Sequence, residues 1–159
     1  MVILMDNPFL CSPKHLGKQW RALRAQLTSD KTDLDHLNII TKFWAKAPLS
    51  AAFLDWDSPD TWPDPWELIS EMTFDASAIA LGMKYTLLLA EDQRWSPDRL
   101  ALDLICLVDK SKQLLMLTID NSYILNFEHG QVTPIAKVEN ELVIQQRYLY
   151  SNKMHLIKL

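Results

Sequence analysis

From Leu16 onward the large apolar residues recur as Leu16, Trp20, Leu23 and Leu27, at intervals of four, three and four, which is the spacing of one helix face. Ser12-Pro13 supplies a cap followed by a proline in the first turn. The opposite face carries Lys14, Lys18, Arg21 and Arg24, a basic stripe that reads either as a solvated face or as a contact for an acidic partner. A second helix is predicted from Thr32-Asp33 to Ala47, with Leu34, Leu37, Ile40 or Thr41, and Trp44 on its inner side and Pro48 ending it.

Between Leu49 and Asp64 the periodicity lapses into a loop, with a short helical turn predicted at Ala51 to Leu54 and an acidic, proline-bearing run from Asp55 to Pro63. Asp64-Pro65-Trp66-Glu67 then reads as a capping box with proline at the first helical position, opening a short helix to about Met72. Asp75 can cap the next helix, whose Ala78, Ile79, Leu81, Gly82, Tyr85, Leu88 and Leu89 make it apolar on most sides and therefore central. Gly82 costs that helix about 1 kcal/mol relative to alanine. Its presence predicts close approach by another element.

Past the polar link Glu91 to Arg99 the period becomes strand-like: Leu100 to Val108, Leu114 to Ile119, Tyr123 to Phe127 and Val132 to Ile135, with turns at Asp109 to Lys112, Asp120 to Ser122 and Glu128 to Gly130. These predict an antiparallel meander. Glu141 to Tyr150 and Met154 to Lys158 read as further strands, the former also fitting a short helix. Helices first and strands second predict an α+β fold, N-terminal helices packed on a C-terminal antiparallel sheet. The 159 residues suit one domain, with a helical half to residue 90 and a β half from residue 100.

Composition excludes several classes. Sixteen basic against twenty acidic residues give a net charge of −4, so no global field collects phosphates, and neither nucleic acid nor an anionic membrane is an expected partner. No run reaches the roughly 18 apolar residues a membrane helix needs. The apolar start Met1 to Met5 meets Asp6 and Pro8 too early for a secretory signal, which predicts a cytoplasmic protein. Cys11 and Cys106 are the two cysteines, too few for a disulfide framework.

Candidate chemistry is sparse. The four histidines are His15, His36, His129 and His155, and the nearest approach to a metal motif is Asp33-x-x-His36, which also reads as a capping carboxylate beside a histidine. No metal or cofactor is expected. Phosphate loops, nucleophile elbows and zinc-protease motifs are absent from the sequence. Cys11 precedes a helix start, with His15 four residues on, one feature of an activated thiol; Cys106 lies in an apolar strand and reads as a small buried hydrophobe. Trp44, Trp56, Trp62 and Trp66 crowd into 23 residues, either as a ligand or partner platform or as anchors for an irregular loop.

Four segments carry a resemblance: Phe43-Trp44-x-Lys46-Ala47-Pro48, Trp62-Pro63-x-Pro65-Trp66-Glu67-Leu68-Ile69, Ala78 to Leu87, and Tyr123-Ile124-Leu125-Asn126. Over about 90 residues the chain resembles small bacteriophage proteins of transglutaminase-like type, within the papain-like cysteine hydrolase class. The resemblance implies a nucleophilic cysteine at the start of the central helix, a histidine on the following strand, and an aspartate or asparagine on the next. Here Asp75 holds the helix start, the strand Leu114 to Ile119 has no histidine, and Asn126 occupies the orienting position. The expectation is therefore a degenerate member that binds a protein partner, in the virion or in the host cell, through Trp56, Trp62, Trp66, Lys14, Lys18 and Arg21. The alternatives are an amide-processing enzyme using Cys11 or Ser77, and a tryptophan-lined ligand-binding module.

Overall fold

The computed structural model describes residues 7–50, 54–109, 112–150 and 156–158. The apolar start at Met1 to Asp6, the predicted helical turn at Ala51 to Phe53, the turn tip Lys110-Ser111, and Met154 and His155 lie outside the described residues.

Each helix begins where a side chain can satisfy its free amides. In α1 (Pro13–Ala25) the Ser12 hydroxyl accepts from the His15 amide at 3.2 Å. For α2 (Asp33–Trp44), Thr32 and Asp35 form a reciprocal capping box. The predicted box opens α3 (Pro65–Glu71), Asp64 accepting from the Glu67 amide at 2.8 Å and Glu67 from the Asp64 amide at 3.3 Å. Asp75 caps α4 (Ala76–Leu88), accepting from the Ala78 amide at 2.7 Å.

Helix α2 departs from expectation twice. It ends at Trp44 rather than Ala47, and Leu34, expected inside, is 45% exposed. The buried stripe is rotated onto His36, Leu37, Ile40, Thr41 and Trp44. The rotation is possible because His36 has partners for both ring nitrogens: Nε2 lies 2.8 Å from the Thr28 carbonyl, and Nδ1 accepts from the Trp95 indole at 3.0 Å.

Helix α4 is the hub, buried from Ser77 through Leu87. The Thr86 hydroxyl donates to the Gly82 carbonyl at 2.7 Å and accepts two indole N–H groups, from Trp20 of α1 at 2.8 Å and Trp44 of α2 at 3.0 Å. One oxygen thus joins three helices. The missing side chain of Gly82 makes room for the second indole, because a Cβ there would sit 2.3 Å from the Trp44 ring. This is the close approach that the glycine predicted.

The sheet has the order β4-β3-β2-β1-β5-β6, antiparallel throughout. Strands β1 (Leu100–Leu107) and β2 (Lys112–Ile119) pair along their full length, followed by β3 (Tyr123–Ile124) and β4 (Thr133–Pro134). The expected meander stops there. After a helical turn, α5 (Ile135–Val138), strand β5 (Leu142–Tyr150) returns to the far side of β1 and pairs with β6 (Leu156–Lys158). Strand β1 is therefore central, which explains its apolar run. Leu100, Leu102 and Leu104 enter the main core with α4, whereas Ile105 joins a second cluster with Met116, Ile124 and Val138. Both faces are covered, so strict alternation is lost.

Two charges are buried in this core. Asp103 of β1 is gripped by Arg147 of β5 through bonds of 2.7 and 3.0 Å. Lys84 of α4 is fully buried and donates to the Leu100 carbonyl at 2.9 Å. Burial pushes its ammonium down to about 7, with Asp103 pulling upward.

Replacing Thr86 with Val should leave two buried indole donors unpaired and cost about 2–5 kcal/mol, whereas Thr86→Ser should cost about 1 kcal/mol. Urea unfolding checks both; a Val variant within about 0.5 kcal/mol of the parent would remove Thr86 from its central role. The pH dependence of Lys84 follows from its lowered value. Below 7 it is charged in both states and the cost of burial is fully present; between 7 and about 10 only the unfolded chain holds the proton, so stability rises with pH by up to about 1.4 kcal/mol per unit. Lys84→Met should flatten that rise in urea melts between pH 6 and 9.5. Parallel curves for the two proteins would refute it.

Candidate functional site

The N-terminal end of α4 meets β2 and the chain leaving β3, where the resemblance locates a catalytic constellation. The central feature is Asn126. Its Oδ1 accepts from the Leu117 amide at 3.0 Å, and its Nδ2 donates to the Leu115 carbonyl at 2.9 Å and the Ala76 carbonyl at 3.4 Å. The Leu117 amide must face the oxygen, which fixes the orientation of the side-chain amide. A strand predicted through Phe127 therefore ends at Ile124, because after Leu125, whose amide still donates to the Leu117 carbonyl at 3.1 Å, the Asn126 side chain takes over the bonds along β2.

A groove of about 220 Å³ opens beside this clamp, lined by Trp44, Ala76, Ile79, Leu125, Asn126 and His129 among others. His129 is exposed at its rim, in the turn closed by Gly130 at φ +71°. On the other side of the helix start, a second cavity of about 300 Å³ is bordered by Asp55, Trp62, Glu67, Glu71, Asp75 and Ala78. Burial pushes the Asp75 carboxyl up, against the amide hydrogen bonds from Ala78 and its neighbours. Asp75 is thus a cap between two cavities, with its oxygen turned to the helix amides.

Neither outside nucleophile candidate joins this arrangement. Ser77 is 3% exposed, inside the first turn of α4. Cys11 is exposed at the turn before α1, its thiol donating to the Asn7 carbonyl at 3.5 Å, and it borders neither cavity. Cys106 is half-buried on β1. Asp33 and His36 do not converge on a metal position: Asp33 pairs with Arg94 at 3.0 Å and Arg99 at 2.7 Å, while His36 is spent on Thr28 and Trp95. Among the described residues, no group of three or more potential ligands comes together. No described helix is long and apolar enough to cross a membrane.

The tryptophans divide by location. Trp62 is buried; its indole donates to the Asp55 carbonyl at 2.7 Å and its ring lies 4.9 Å from that of Tyr148. Tyr148 in turn donates to the carbonyl of half-buried Trp56 at 2.6 Å. The Trp56–Trp62 loop is accordingly fastened to β5, and Trp62 presents little of its ring to solvent, its remaining surface bordering the second cavity. Trp66 differs, being 57% exposed. Lys14, Lys18 and Arg21 are all exposed on α1, as the stripe implies.

Solved structures show the same architecture. The calcium-bound form of Legionella pneumophila LapG is similar over 91% of this chain and 90% of that one, with a TM-score of 0.66 and 17% identity. The EGTA-treated form is similar over 90% and 87%, with a TM-score of 0.65 and the same identity. The fold is transglutaminase-like. No protein-family model matches the chain, and no curated protein matches it. At 17% identity the likeness to LapG is one of fold, so the chemistry of this chain rests on its own residues.

If Asn126 is a clamp, Asn126→Asp should destabilise by about 2–3 kcal/mol, since a carboxylate keeps the bond from Leu117 but turns toward two carbonyls that lose their donor. Thermal and urea unfolding at neutral pH provide the check. An unchanged midpoint would mean that the amide is free for another task.

Proposed function

We propose that this transglutaminase-like chain is a non-catalytic member of its fold class that acts by binding another protein, in the virion or host-cell setting that the sequence resemblance implies. The observation that carries this reading is the use of Asn126: the side chain that would orient a catalytic base has both its oxygen and its nitrogen committed to backbone groups of β2 and α4. Both N–H groups of the amide are spent on carbonyls and its oxygen already accepts from Leu117, while β2 beside it carries no histidine for the remaining lone pair to orient. The helix start adds to it, because Asp75 offers a capping carboxylate where a thiolate would have to stand. Ser77 lies too deep for attack on a substrate, and exposed Cys11 borders neither cavity.

Labelling with iodoacetamide and with a fluorophosphonate probe tests the absence of catalysis. Cys11 should react no faster than in the urea-unfolded chain, and Ser77 should stay unlabelled. Capture from source cells with the intact protein should return a stoichiometric protein partner. Accelerated labelling at either residue, or a protein that stays alone at every concentration tried, would overturn this reading.

A further inference from the structure

We propose that the seam between α1 and α3 docks an acidic segment of the partner protein, one carrying an apolar side chain, with Arg24 and Trp66 as its centre and Lys14, Lys18 and Arg21 as its electrostatic border. This rests on the binding function proposed above and assigns it a surface and a partner chemistry.

The seam is built by contacts the sequence does not display. Gly17 of α1 faces α3, where a Cβ would stand in ordinary contact, 4.0 Å from the Ile69 side chain. One turn on, the Trp20 and Trp66 rings meet edge to face at 5.6 Å. The Arg24 guanidinium lies over the Trp20 ring at 4.3 Å and 5.7 Å from that of Trp66. Stacking holds the guanidinium in place before any ligand arrives, so less freedom is lost on binding. Among the described residues its buried Nε has no hydrogen-bond partner.

The charges around it agree. Helix α1 has no carboxylate between Pro13 and Ala25. Arg21 repels Arg24 while Glu91 attracts it, yet among the described residues Arg24 makes no salt bridge. Trp66 keeps over half its surface in water, an exposed apolar contact beside a stacked cation. A carboxylate with a neighbouring apolar side chain satisfies both at once. A long polyanion fits less well, because the patch is local on a chain of net charge −4.

The test is a fluorescence titration of the whole protein with a short capped peptide alternating glutamate and leucine, beside a heparin oligosaccharide and phosphatidylglycerol vesicles. Peptide binding should exceed both, weaken with salt, and fall at least about tenfold in Arg24→Gln and in Trp66→Ala. Trp66 is a surface side chain, so its variant keeps the test open if Arg24→Gln unfolds. No peptide binding, unchanged binding in the folded variants, or tighter binding of heparin or vesicles would overturn the proposal. A cellular partner retained by both variants would refute this surface while leaving the binding function standing; the absence of any partner would refute that function instead.

Discussion

A single hydroxyl, that of Thr86, sets the geometry on which the helical layer depends. Indole N–H groups are costly to bury without acceptors, and two of them, from α1 and α2, converge on this oxygen. Each indole can reach it only if the helix bearing it lies at a particular rotation and height against α4. Gly82, one turn earlier, gives the Trp44 ring its space and the Thr86 hydroxyl its own acceptor. The position of α4 in turn places Ala76 beside β2 and within reach of Asn126, so the chemistry-bearing end of the fold inherits its geometry from a knot well inside it.

The same end illustrates how a transglutaminase-like frame holds together when polar side chains serve the backbone. Asn126 continues the bonding along β2 after β3 has diverged, and also reaches the first turn of α4. Its role is a bridge between sheet and helix. Charges elsewhere follow a similar pattern. Asp33 links α2 to Arg94 and Arg99, and Arg99 forks onto Asp120 in the turn after β2, where Asp120 and Asn121 both adopt positive φ. Short polar side chains tolerate that backbone region well, and the arginine fastens the resulting turn to the helical layer.

Much of the candidate site was legible at the level of residue type and little at the level of role. Asp75 was expected to cap and does; Asn126 was singled out, yet no spacing could show which backbone groups its amide would meet. Trp62 and Trp66 looked equivalent along the chain. Tyr148, eighty-six positions beyond Trp62, decides that one ring packs inside, while Trp20 and Arg24 leave the other facing water. The basic stripe was visible from α1 alone, but its junction with an exposed aromatic required α3 to be packed beside it.

The local elements belonged to the sequence by itself: the caps at Ser12, Asp64 and Asp75, the helical and strand periods, the glycine marking a close contact, and the α+β order. These depend on neighbours within a few residues, where backbone geometry limits the outcomes. Only the tertiary structure decided that β5 returns beside β1, that α2 turns His36 inward and Leu34 outward, and that one threonine serves two tryptophans. Such features depend on which of many distant polar groups becomes a partner, and burial forces that pairing only once the chain has closed around it.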